Sequence, residues 1–132
     1  MSLLKWHSDY SVGVASMDDE HREMIDLIND IYAQLEAGSD AEKIEQCLGE
    51  IFSVISSHFA LEERLMQKCN YSEYQAHKDD HEDLLDRIRD LMDDFATSPS
   101  NGAQQLRQHL SDWFAGHFSS FDARLHGRLR DG

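Results

Sequence analysis

Ile44, Leu48, Ile51, Ile55, His58, Glu62, Leu65, Met66 and Cys69 recur at three- and four-residue intervals. That is the period of one helix face, so the stretch predicts a helix over roughly 40–69. Its apolar stripe carries two side chains of metal-binding type, His58 and Glu62. They are four residues apart and so lie about one turn apart on the same face. The next periodic stretch repeats the device with His77 and His81. Two nitrogen and oxygen donor pairs on neighbouring helices, aimed at one space, are the makings of a metal site.

The rest of the chain supplies the scaffold. Residues 1–17 lack helical period, and Trp6, Tyr10, Val12 and Val14 predict an extended arm packed on something else. Asp18 reads as an N-cap, with Asp19 and Glu20 in the first turn. His21, Met24, Ile25, Ile28, Tyr32 and Leu35 then predict a first helix over roughly 18–37, with Gly38 as its C-cap. Ser39 to Glu42 and Ser72 to Gln75 are capping-box patterns that open the second and third helices. The third, roughly 73–96, carries Tyr74, His77, His81, Leu84, Leu85, Ile88, Leu91, Met92 and Phe95. Thr97-Ser98-Pro99-Ser100-Asn101-Gly102 reads as a loop. A fourth helix over roughly 103–126 carries Leu106, Leu110, Trp113, His117, Phe121 and Leu125, with Gly127 as a cap. Four long amphipathic helices with short connections predict an all-α fold, an antiparallel up-down-up-down four-helix bundle forming one domain over 1–132.

Composition narrows the partners. With 26 acidic and 12 basic residues the net charge is −14. Nucleic acid and anionic membrane both need a basic face, so neither is expected as a partner. No apolar run is long enough for a signal peptide or a membrane span. Cys47 and Cys69 make no CxxC and no disulfide framework, and free thiols fit a reducing cytoplasm.

In such a bundle the start of the first helix, the end of the second, the start of the third and the end of the fourth lie at one end. His21, His58, Glu62, His77, His81 and His117 all fall within roughly 5–17 Å of that end at ~1.5 Å rise per residue. Histidines placed in a core at random have no reason to meet at one level. Asp122 is a less regular candidate. It follows His117 by five residues, about 140° round an ideal helix, and reaches the same centre only from the side or from a distorted helix end. Five imidazoles and two carboxylates exceed a four-coordinate zinc site and suit two metals bridged by carboxylates. Nitrogen and oxygen donors without thiolate suit iron, while zinc, manganese and copper compete on affinity.

The ordered series Asp18-x-x-His21, His58-Phe59-x-x-Glu62-Glu63-x-x-Met66, His77-x-x-x-His81 and His117-x-x-x-x-Asp122 resembles hemerythrin in its bacterial single-domain form. The arm with Trp6 and the Trp113 four residues before His117 are similar to that family too. The resemblance covers essentially the whole chain and implies reversible O2 binding at a non-haem di-iron centre with an oxo or hydroxo bridge. By position it implies His77, His81 and His117 on one iron, His21 and His58 on the other, and Glu62 and Asp122 bridging. The second iron would be one ligand short, and that gap would take O2. Met24, Ile25, Phe59, Met66, Trp113 and Phe114 are the candidate apolar wall around it. Glu20 stands where the family often has Gln.

Other residues receive plainer readings. Glu63 points about 100° from the line of His58 and is expected outside the donor set or in solvent. Asp79, Asp80, Glu82 and Asp83 read as a solvated acidic face. His7, His109 and His126 read as surface residues, and both cysteines as inert. A binding protein for O2 storage, transport or delivery is the expected function, not an enzyme. A sensor acting through a separate protein and a di-iron redox enzyme are the alternatives. Ferritin-like oxidases use Glu-x-x-His pairs, and this chain has none. O2 is the expected small-molecule partner, and a protein acceptor is left open, as is the oligomeric state.

Overall fold

Four helices run alternately up and down: α1 (Ala15–Glu36), α2 (Ala41–Lys68), α3 (Tyr74–Thr97) and α4 (Pro99–His117). The computed structural model describes residues 4–126 and 128, so the cap expected at Gly127 lies outside the described residues. Beyond α4 the chain makes a π-helical turn, Phe118–Asp122, and then a 3-10 turn, Ala123–Leu125. No helix among the described residues is long and apolar enough to cross a membrane.

Each helix buries one stripe, and the stripes meet in a core that includes Ile28, Ile31, Leu48, Ile55, Ile88, Leu106 and Leu110. Complete burial of a side chain of this kind contributes about 1.5–3 kcal/mol. Val12, Val14, Met17, Met66, Tyr71 and Leu125 form a smaller cluster. The arm lies along the α1–α4 seam, the sparsest of the four. Leu4 there exchanges two hydrogen bonds with the Asn29 side chain, at 2.9 and 2.7 Å.

The helix ends depart from the sequence reading, for local reasons. Helix α1 begins at Ala15 rather than 18, and its N-cap Val14 makes no side-chain cap bond. Asp18 is not the cap. Its carboxylate accepts from the Val12 N–H at 2.9 Å and the Ser11 hydroxyl at 2.6 Å, fastening the arm. Neither capping box forms. Asp40 caps α2 by accepting from the Lys43 N–H, and Glu73 precedes α3 without a side-chain cap bond.

The expected loop over 97–102 is absent. Ser98 alone separates α3 from α4, and Pro99 opens α4. Proline suits the first turn of a helix, where its missing N–H leaves no bond unmade. Gly102 permits the tight reversal, because a Cβ there would stand 2.8 Å from the Phe95 backbone nitrogen.

Near that end of the bundle Tyr32 of α1 is wholly buried. Its hydroxyl donates to the Leu106 carbonyl at 3.0 Å and accepts from the Ser111 N–H at 3.0 Å. A phenol thus enters the hydrogen-bond ladder of α4.

Candidate metal centre

The antiparallel order brings His21 from α1, His58 and Glu62 from α2, His77 and His81 from α3, and His117 from α4 to one level. Two overlapping groups of buried donors result. Glu62, His77, His81, His117 and Asp122 each offer an atom within 4.8 Å of the others, and so do His21, His58 and Glu62. All seven side chains are buried.

Glu62 belongs to both groups, and its two oxygens divide between them. Oε2 lies 3.1 Å from His21 Nε2 and 3.2 Å from His58 Nε2. Oε1 lies 2.9 Å from His77 Nε2 and 3.1 Å from His81 Nε2. Asp122 spans the same gap. Oδ1 is 3.0 Å from His77 Nε2 and 2.9 Å from His117 Nε2, and Oδ2 is 3.4 Å from His21 Nε2.

The π-helical turn brings Asp122 in. In an α-helix, residues five apart diverge, whereas an i→i+5 ladder brings them back towards one face. Ser119 and Ser120 both donate their hydroxyls to the Gly116 carbonyl, at 3.3 and 2.6 Å. Such back-bonding competes with the regular ladder and bends helices.

The donors fit a cation better than they fit each other. His77 Nε2, His117 Nε2 and both Asp122 oxygens are buried without a hydrogen bond among the described residues. His77 and His117 are near enough to Asp122 but out of line. An unsatisfied buried polar atom costs about 1–3 kcal/mol, so several in one space call for a positive charge between them.

Electrostatics agree. Burial pushes the Glu62 carboxyl up, but the imidazoles of His21, His58, His77 and His81 gathered around it outweigh burial and hold it well below its ordinary value. Burial and the Glu62 charge push Asp122 up, and His117 and His21 reverse this to a net lowering. Burial pushes His117 down, yet Asp122, Asp80 and Glu62 raise it to about 10. His58 and His77 are likewise raised against the effect of burial, His58 chiefly by Glu62 and His77 by Asp122 and Glu62. Without metal, these imidazoles tend to hold protons that a cation would displace.

Aromatic rings pack the donors. Phe59 stacks on His81 at 3.8 Å between ring centroids, Phe118 lies 5.1 Å from His21, and Phe121 stacks on His117 at 5.8 Å. Phe118 and Phe121 were missed as neighbours of the centre; their position inside the His117–Asp122 interval was the available signal. Of the expected wall, Met24, Ile25, Phe59 and Phe114 lie in the main core. Met66 lies in the smaller cluster with Val12 and Leu125. Trp113 is half-buried, stacked on His109 at 5.6 Å with the Arg87 guanidinium 5.4 Å from its ring. His109 is therefore half-buried rather than free on the surface, while His7 and His126 are exposed.

Asp80 corrects the reading of a solvated acidic face. Its side chain is 26% exposed and accepts a short hydrogen bond from His117 Nδ1. Burial pushes its carboxyl up, but the bond to His117 prevails and lowers it. Glu63 accepts from His81 Nδ1 at 2.9 Å, and Glu20 lies 3.4 Å from His58 Nδ1.

The chain also has relatives among known proteins. The profile of the hemerythrin HHE cation binding domain matches residues 12–129. A bacteriohemerythrin of Methylococcus capsulatus is 28% identical over 128 residues, 96% of each chain. One of Aquifex aeolicus is 28% identical over 98% of this chain and 99% of its own. A myohemerythrin of Sipunculus nudus is 27% identical over 94% and 92%. A crystal structure of wild-type hemerythrin superposes with a TM-score of 0.81 at 25% identity, covering 97% of this chain and 98% of that one. Fold, buried donors and profile lead to one assignment: this chain belongs to the hemerythrin family.

Proposed function

We propose that the protein binds two iron ions and takes up O2 reversibly, for storage, transport or delivery. The observation that carries this reading is the division of the Glu62 oxygens between two sets of imidazoles, repeated by Asp122. His77, His81 and His117 would hold one ion, His21 and His58 the other, and the two carboxylates would bridge them. Bound there, an iron pair supplies two electrons and an open coordination position, which reversible O2 uptake requires.

The chain's own residues do the rest. Five imidazoles against two carboxylates make a nitrogen-rich, thiolate-free donor set suited to iron. With three imidazoles to hold one ion and two to hold the other, His21 and His58 would hold the less fully ligated ion, and O2 would be taken up on their side. Phe59 fixes the plane of His81, and Phe118 backs His21. Met24, Ile25, Phe59 and Phe114 are the lining we assign to O2, and their burial supports exclusion of bulk water. Met66 packs in the smaller cluster, and Trp113 packs between His109 and Arg87, so neither is assigned to that lining. So closely packed a centre favours a small ligand over turnover of an organic substrate. The free thiols of Cys47 and Cys69 support a cytoplasmic setting.

Iron per chain and the visible spectrum test this together. Two irons, a colourless reduced form and an oxygenated band reversed by argon are expected. One zinc per chain, or a band that argon does not reverse, would overturn the reading.

A further inference from the structure

Three carboxylates outside the donor set share one kind of placement. Glu20 precedes His21 on α1 and lies 3.4 Å from Nδ1 of His58 on α2. Glu63 follows Glu62 on α2 and accepts from Nδ1 of His81 on α3 at 2.9 Å. Asp80 precedes His81 on α3 and accepts from Nδ1 of His117 on α4. Each stands beside a donor in sequence and turns to an imidazole of the next helix. The reason is geometric: a neighbour in sequence points ~100° off the donor's line, which in a bundle faces the adjoining helix. The belt steps from α1 to α4 and stops at the α4–α1 seam, where Phe118 packs against the His21 ring.

We propose that Glu63 and Asp80 are positioning residues that hold His81 and His117 as Nδ1–H tautomers, and that with Glu20, which approaches His58 Nδ1 without a hydrogen bond, they bias the bound cations towards higher charge. The proposal rests on the di-iron reading above and adds what governs its charge balance. An Nδ1–H that donates to a carboxylate leaves the Nε2 lone pair free to point inward. The charge-assisted bond also strengthens the imidazole as a donor. The three imidazole side chains are 0–2% exposed, while the belt carboxylates are 20%, 26% and 38% exposed. The acids thus keep one side in water while their other side faces the centre. Removing Glu63 or Asp80 leaves a buried N–H without its partner and the ring free to turn.

Asp80 also lines an open cleft of about 320 Å³ with Asp83, Arg87, Trp113, His117 and Phe121. Truncating it would expose His117 Nδ1 to small solutes from that cleft.

The test compares Glu63→Gln and Asp80→Asn with Asp79→Asn, which removes the same charge from an exposed neighbour whose carboxylate accepts from Gln75. Cobalt(II) affinity of the metal-free protein should fall by about 10–100-fold in the first two and stay unchanged in the third. The midpoint potential of the iron-loaded protein should become more positive in the same two. Asp80→Glu should recover part of both, and added formate should restore cobalt binding to Asp80→Ala through the cleft. Variants at 63 and 80 that match Asp79→Asn would overturn the proposal, as would an Asp80→Ala protein that formate does not rescue. A wild-type chain without an iron pair would overturn the functional reading instead, and cobalt affinity would still decide the belt.

Discussion

His117 and Asp122 stand five residues apart, yet their side chains meet at 2.9 Å because the chain between them makes a π-helical turn. That turn adds a second carboxylate to a centre already spanned by Glu62. Asp122→Asn keeps the size of the side chain and removes its charge. Iron content should fall by about half or more while helix content is unchanged, since a neutral amide cannot balance the cations. Iron analysis beside circular dichroism checks this, and two irons retained per chain would count against a bridging Asp122.

His77 faces both Glu62 and Asp122, whereas His109 stacks on Trp113 away from them. His77→Ala should lose iron to a chelator far faster than His109→Ala. Equal rates would mean that the donor set is wrongly assigned.

The metal-free protein has a pH profile of predictable sign. His58, His77 and His117 are raised above an ordinary 6.5, His117 to about 10. Their contribution to stability is fully present below about 6.5 and is lost as pH rises towards 10. Glu62 and Asp122 are lowered from 4.5 and 3.8, so theirs is present above those values and lost as pH falls through the folded ones. The urea midpoint of chelator-treated protein should therefore be highest near pH 5–6 and fall on both sides. A midpoint that climbs from pH 7 to 9.5 would contradict the charge arrangement. Metal added at pH 7 to lightly buffered protein should release protons, read directly with a pH electrode.

Two glycines should respond in opposite directions. Gly102→Ala forces a Cβ to 2.7 Å from the Phe95 ring and 2.8 Å from its backbone nitrogen. It should destabilise by about 1–3 kcal/mol in urea unfolding. Gly49 lies inside α2 with nothing within 4 Å of an added Cβ. Gly49→Ala should stabilise by about 0.5–1 kcal/mol through helix propensity. Both sites are remote from the donors, so iron content should not change, and a loss of iron in either would point to coupling along the bundle.

Much of the architecture was legible because apolar residues keep one period for many turns, as Ile44 to Met66 do along α2. Helix ends were less so. Pro99 and Gly102 together read as a loop, but one opens α4 and the other clears Phe95. Asp18 had the residue type of a cap and serves the arm instead, a choice made by tertiary contacts with Ser11 and Val12. In the centre, side chains that share a helix face could be aligned by counting. Asp80 could not, because its partner His117 lies 37 residues away on another helix. The π-helical turn left no periodic trace, since Phe118 to Phe121 contain too few positions to distinguish two ladders.

The Tyr32 hydroxyl has a longer reach than its own corner of the core. By taking the Ser111 N–H and donating to the Leu106 carbonyl, it fixes α4 lengthwise against α1. His117 lies six residues beyond Ser111, ~9 Å along the axis. A slip of α4 by one residue would move His117 by ~1.5 Å and swing it by ~100°, away from Asp80 and the other imidazoles. One phenol thus serves as an index pin, setting from the opposite half of the molecule the height at which the fourth helix delivers its donors.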